Sequence, residues 1–129
     1  MFNDPIAELL TKLRNAKDAQ HRYVDVGYSK MKSSILEILR KHGFIENFLV
    51  NEEARKMRVF LRYMKDRKNI LNGLKRKSSP GGRLYVQAHE IRRVFNGMGL
   101  SILSTSKGVV DGETARSLNV GGELLCTVW

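Results

Sequence analysis

Met57-Arg58-Val59-Phe60-Leu61-Arg62-Tyr63-Met64 reads as a strand with one buried face. Met57, Val59, Leu61 and Tyr63 recur at a period of two, with Arg58, Phe60 and Arg62 between them. Alternate side chains of a pleated strand point to opposite faces, so this is the pattern of a half-buried strand. The polar run Asn51-Glu52-Glu53-Ala54 joins it to a second strand candidate over residues 44–50, making a hairpin. Upstream, Ser29 is placed to cap a helix whose buried face carries Met31, Ile35, Ile38 and Leu39. Gly43 ends that helix as a residue free to take positive φ. Tyr23-Val24-Asp25-Val26 is a short strand, and Asn3-Asp4-Pro5 opens the first helix, where an Asx side chain caps and Pro fits the first turn. Ile6, Leu9, Leu10 and Leu13 form the core stripe of that helix. Helix, strand, helix and hairpin make one α/β layer.

Residues 66–69 are polar and read as a linker. Beyond them the sequence predicts strands over 70–77 and 83–87 around the turn Ser78-Ser79-Pro80-Gly81-Gly82, and a short helix over 88–95 stopped by Asn96-Gly97. A strand over 100–104, a helical turn over 111–118 and a closing strand over 123–128 follow. The expected fold class is α+β: an N-terminal α/β domain, residues 1–66, packed on a mainly β C-terminal domain with short helices, residues 67–129.

A chain of 129 residues buries roughly two thirds of its unfolded surface and needs no metal or disulfide staple. Its 42% hydrophobic and 28% charged content separates it from disordered tails. Cys126 is the one cysteine, so no intramolecular disulfide forms, which favours a reducing compartment. No apolar run reaches the roughly 20 residues of a membrane span, and the N-terminus lacks a signal-peptide pattern. A cytoplasmic protein with no membrane partner is expected. Charge is more informative. The net charge is +10, and residues 55–93 hold thirteen basic side chains against Asp66 and Glu90, so the whole excess lies there. A regional excess of one sign suits a polyanion, because each phosphate neutralised releases condensed counterions.

Catalysis finds no support in the residues. His21, His42 and His89 stand in three different elements without metal-ligand spacing. No nucleophile elbow, Walker loop, dinucleotide fingerprint or paired-Cys motif occurs, and Pro80-Gly81-Gly82-Arg83, which could cradle a phosphate, is more commonly a plain hairpin turn. Cys126, in an apolar strand, reads as an inert core thiol. Neither a cofactor, a metal nor a small-molecule substrate is expected.

In Leu103-Ser104-Thr105-Ser106-Lys107-Gly108-Val109, three hydroxyl residues leave an apolar strand and end in Lys-Gly. Hydroxyls can bond phosphate oxygens, 2′-OH groups or base edges, Lys107 adds a mobile cation, and Gly108 permits close backbone approach. A Ser/Thr-rich loop satisfying its own backbone fits equally well. In Arg83-Leu84-Tyr85-Val86, Arg83 and Tyr85 share the exposed side if Leu84 and Val86 face the core. A Tyr beside an Arg there is either a stacking platform for an unpaired base or an amphipathic edge residue.

The blocks Ser104-Thr105-Ser106-Lys107-Gly108-Val109, Ala115-Arg116 and Gly121-Gly122-Glu123-Leu124-Leu125-Cys126 together resemble the C-terminal signature of the bacterial small-subunit ribosomal protein number eight family. Further blocks lie where that family has them: Asp4-Pro5-Ile6-Ala7, Leu13-Arg14-Asn15, Ser29-Lys30-Met31-Lys32, Gly43-Phe44-Ile45, Ser79-Pro80-Gly81 and Arg83-Leu84-Tyr85. The resemblance implies a structural constituent of the small ribosomal subunit that binds the central domain of small-subunit rRNA early in assembly. It also implies repression of its own operon through a messenger-RNA mimic of that site, and a place beside small-subunit protein five. Ser104, Thr105, Ser106 and Lys107 would meet an irregular helix in its minor groove with Tyr85 stacking nearby, and Arg14, Lys30 and Lys32 would make a second contact. The RNA-binding set expected is therefore Ser104, Thr105, Ser106, Lys107, Gly108, Tyr85, Arg83, Lys30, Lys32, Arg14 and Glu123. The chain departs from the family pattern at Gly27-Tyr28, at Ser79, and at Val110-Asp111-Gly112. A DNA-binding module would need a helix with basic and amide residues on one face. An RNA-processing enzyme would need clustered His, Glu or Lys.

Overall fold

Pro5 starts α1 (Pro5–Asp18), and Ile6, Leu9, Leu10, Leu13 and Ala16 are all buried along it. In the computed structural model, which describes residues 4–65, 70–92 and 99–129, the chain divides into two units. One is Ala7–Asn72, the other Gly73–Trp129 together with Met1–Ile6. The linker expected over 66–69 lies outside the described residues. Helices and antiparallel sheets give an α+β fold.

Within Ala7–Asn72, β1 (Tyr23–Gly27) leads to α2 (Lys30–Lys41), and β2 (Ile45–Asn51) and β3 (Lys56–Leu61) form the hairpin. The antiparallel order is β1–β3–β2. Met57, Val59 and Leu61 are buried, as their alternation requires, whereas Arg58 faces out and pairs with Asp25 directly across on β1. Ser29 caps α2 by accepting a hydrogen bond from the Lys32 N–H at 3.1 Å, and Gly43 takes φ +78° just past the helix end. The buried stripe of α2 differs from the one expected. Met31 is exposed, and Lys32, Ile35, Leu36 and Leu39 line the core side with Ile38. Those four stand at i, i+3, i+4 and i+7, a better helical stripe than one begun at Met31. A lysine is tolerated there because its stem lies along the apolar face while Nζ reaches the Gly27 carbonyl at 3.4 Å.

The other unit is built on β4 (Leu74–Arg76), β5 (Tyr85–Val86), β6 (Leu100–Thr105), β7 (Gly108–Asp111) and β8 (Gly122–Val128). They run β4–β8–β6–β7, with β5 also paired to β8. The short helix α3 (Gly112–Ser117) is capped by Asp111. Two strands are shorter than expected, β4 against 70–77 and β5 against 83–87. The helix expected over 88–95 is a single 3-10 turn, Ala88–Glu90, within the described residues. Ile91 is already extended, because its side chain enters the core with Leu103 and Ala115. Positions 93–97 of that expectation lie outside the described residues. Strand β7 was not expected at all.

Candidate nucleic-acid interface

Strand β7 changes what the hydroxyl run is. Ser104 and Thr105 end β6, Gly108 and Val109 begin β7, and Ser106-Lys107 is the two-residue turn of a hairpin. Thr105 holds that turn. Its Oγ1 donates to the Gly108 carbonyl at 2.9 Å and accepts from the Lys107 N–H at 3.1 Å. Gly108 follows at φ +105°, a conformation that favours glycine over any residue with a Cβ. The self-satisfied turn and the exposed site are thus divided among neighbours. Thr105 serves the backbone, while Ser106 and Lys107 project at the tip.

Register assembles the rest. Tyr85 stands across from Glu123, Glu123 across from Ser104, and Ser104 across from Val109. Residues directly opposite on antiparallel strands share a face, so Tyr85, Glu123 and Ser104 form one row across β5, β8 and β6. Tyr85 is 69% exposed, a ring with little of its own protein to cover it. Arg83 joins from the strand approach, donating from Nη1 to Glu123 Oε2 at 2.9 Å. Burial raises the Glu123 pKa, but hydrogen bonds from Ser78 and Arg83 and the charges of Arg83 and Arg76 outweigh it. The carboxyl therefore sits below its ordinary value. Ser78, which is fully buried, donates to Glu123 and accepts from the Leu84 N–H at 3.1 Å, fixing the approach to β5.

The two glycines before Glu123 set the spacing. A Cβ on Gly122 would lie 2.1 Å from the Ser104 carbonyl oxygen, and one on Gly121 would lie 2.3 Å from the Val86 carbonyl oxygen. Only glycine lets β8 enter between β5 and β6, so Gly121-Gly122 brings Tyr85 and Ser104 onto one row.

The remaining expected residues lie in the other unit. Arg14 is on an exposed side of α1, Lys30 is exposed at the start of α2, and Lys32 is buried with its ammonium on Gly27. Part of the basic segment is already engaged. Arg76 makes a bidentate pair with Asp4 at 3.0 and 3.3 Å, both side chains mostly buried, and also donates to the Leu125 carbonyl. Arg58 pairs with Asp25 and lies 4.2 Å from the Tyr23 ring centroid. Arg67, Lys68 and Arg93 lie outside the described residues. Asp111, which departs from the family pattern, accepts from the Thr114 hydroxyl at 2.6 Å and its N–H at 3.4 Å, so its charge caps α3. Ser78 carries no local sequence signal, because only the pairing of β5 with β8 connects it to Glu123. Val109-Val110 did carry a signal for β7, two β-branched residues after a turn glycine.

Among the described residues no group of three or more His, Cys, Asp or Glu side chains gathers as a metal site, and no helix is long and apolar enough to cross a membrane. Relatives define the class as ribosomal. The small ribosomal subunit protein uS8 of Chlamydia abortus is 55% identical over 131 residues, covering 100% of this chain and 98% of its own. That of Chlamydia trachomatis serovar D is also 55% identical with the same coverage, and that of Protochlamydia amoebophila 51% identical over 132 residues, 100% of this chain and 99% of its own. The family model described as Ribosomal protein S8 matches residues 4–129, and the chain belongs to that family. It is a structural protein of the small ribosomal subunit rather than an enzyme, and its place is the cytoplasmic ribosome.

Proposed function

We propose that this protein binds the central domain of small-subunit rRNA directly and early in assembly, and reads it with the hairpin face of the domain spanning 67–129. The observation that carries the reading is the row Tyr85, Glu123, Ser104 beside the exposed tip Ser106-Lys107. An exposed ring can stack on an unpaired base, hydroxyls can meet 2′-OH groups and base edges, and Lys107 and Gly108 admit the backbone closely. Thr105 shapes the tip, and Glu123 holds Arg83 at the edge of the row. Arg14 and Lys30 supply a second contact, with Lys32 fixing the entry to α2 behind Lys30. The same face would bind a messenger-RNA mimic and so repress the protein's own operon. Small-subunit protein five is the expected neighbour.

Footprinting on small-subunit rRNA with a poly-U competitor tests this. Lys107→Ala should weaken binding and reduce the salt slope by about one unit, the loss of one phosphate contact. Ser106→Phe should abolish preference for the central domain over poly-U while leaving the salt dependence. Retained preference in Ser106→Phe would sink the assignment of the hairpin as the reading element.

A further inference from the structure

The sheet has a second face. Lys75 pairs with Thr127 and Thr127 with Ser101, and these three make a row across β4, β8 and β6. Val86 and Leu124 are chain neighbours of Tyr85 and Glu123, so they point away from the hairpin row and join this opposite side. A cleft of about 690 Å³ lies over it. Its floor is small hydroxyl and aliphatic side chains, and its rim is cationic. Lys75, Lys77 and Arg92 all line it, and none has a carboxylate partner among the described residues. The acidic side chain at the rim, Glu90, accepts the Gln87 N–H at 3.0 Å and is thereby engaged.

Trp129 forms one wall. Its indole lies so close on Gly73 that a Cβ there would stand 2.2 Å from the ring, so Gly73 is what admits the aromatic group. Strand-like hydrogen bonds between the Gly73 and Trp129 backbones, 2.9 and 3.0 Å, hold the ring in place. A concave site of this size, with a fixed aromatic wall, a floor of small hydroxyl and aliphatic side chains and three cations that have no carboxylate partner among the described residues, has what a nucleotide requires: surface for the base and charge for the phosphate. An acidic peptide would match the cations but offers no aromatic ring to stack on the indole.

We propose that this cleft is a second site, separate from the hairpin face, that binds one unpaired nucleotide through Trp129 and the cations Lys75, Lys77 and Arg92. Because it opens on the opposite side of the sheet, a helix seated on the Tyr85–Ser104 row does not fill it. Its occupant is a single-stranded segment or a free nucleotide. The site does not depend on the reading of the hairpin.

Trp129 is the one tryptophan of the sequence, so its emission reports on this cleft alone. The full-length protein is titrated with penta-uridylate, uridine monophosphate, inorganic phosphate and poly-glutamate, with excitation beyond nucleotide absorption. Saturable quenching by penta-uridylate is expected. Equal quenching by the mononucleotide per site identifies a free nucleotide as sufficient, and a preference for the oligomer identifies an RNA strand. Lys75→Ala with Lys77→Ala, both exposed positions, should weaken the quenching by about tenfold or more, and Arg92→Ala alone should weaken it measurably. Lys107→Ala should leave it unchanged. Absence of quenching overturns the proposal, as does quenching that the cleft variants leave intact, that Lys107→Ala removes, or that poly-glutamate or inorganic phosphate reproduces. Failure of the hairpin reading would instead show in the rRNA footprint.

Discussion

Glu123 illustrates how much of the candidate interface one carboxylate organises. Its Oε2 accepts from both Ser78 and Arg83, so the approach to β5 and the cation beside Tyr85 are fixed together. Its carboxyl is held below the ordinary glutamate value despite burial. For a depressed folded pKa, the stabilisation is present above the unfolded value, about 4.3, and is lost as the pH falls through the lower folded value. Urea unfolding of the wild type should therefore show a loss of stability below about pH 4.3 to which Glu123 contributes. Glu123→Gln should lower stability at pH 7 by about 1–2 kcal/mol, because charged hydrogen bonds become neutral ones, and should shrink the acid-dependent loss. An unaltered acid dependence would show that other carboxylates carry it all. The same variant releases Arg83, so the salt slope for RNA should steepen by up to about one unit. Gly122→Ala is a harsher change. Its Cβ would meet a backbone oxygen rather than a side chain that could move aside, and a loss of about 2–4 kcal/mol in urea unfolding is expected.

At the scale of elements, the β6–β7 hairpin depends on Thr105 more than on the residues at its tip. Thr105→Val keeps the shape and the β-branch but removes both hydrogen bonds to the turn. It should reduce stability by only about 1 kcal/mol while loosening Ser106 and Lys107 enough to lose preference for the rRNA site; Thr105→Ser should restore that preference. Preference retained in Thr105→Val would mean the tip needs no support. Here the sequence and the structure part in an instructive way. The alternation from Met57 to Leu61, the cap Ser29 and the stop at Gly43 were legible because each is a local rule about a few neighbouring residues. The buried stripe of α2 begins at Lys32 rather than Met31, a position that only the contact of its ammonium with the Gly27 carbonyl explains. The hydroxyl run stands out in the sequence, but its division into a supporting Thr105 and a projecting Ser106-Lys107 follows only from β7. Ser78 and the Tyr85–Glu123–Ser104 row were illegible for a stronger reason. They exist only through register between strands some 20 to 40 residues apart in sequence, which no local pattern encodes.

For the molecule as a whole, the +10 net charge is not spread evenly over free cations. Arg58, Arg76 and Arg83 are tied to Asp25, Asp4 and Glu123, so part of the basic segment stabilises the fold. Binding and stability should then be linked, and Cys126 allows the linkage to be measured. It is the one cysteine, it is buried on β8 across from Ile102, and burial pushes its thiol up to about 12. Near neutral pH the native thiol is therefore neither ionised nor reachable, and iodoacetamide should label it only when the sheet opens. A ligand that binds only the folded protein adds RT ln(1 + [L]/Kd), about 2.7 kcal/mol at a hundredfold excess over Kd. Central-domain rRNA at that excess should slow labelling by about a hundredfold when opening is rapid and reversible. Poly-U at the same nucleotide concentration should slow it far less. If the protein protects rRNA bases in the footprint yet rRNA leaves labelling unchanged, β8 opens without disturbing the hairpin face. The row that joins Glu123 of β8 to Ser104 of β6 forbids that outcome, because β8 cannot leave the sheet while Glu123 stays between Tyr85 and Ser104.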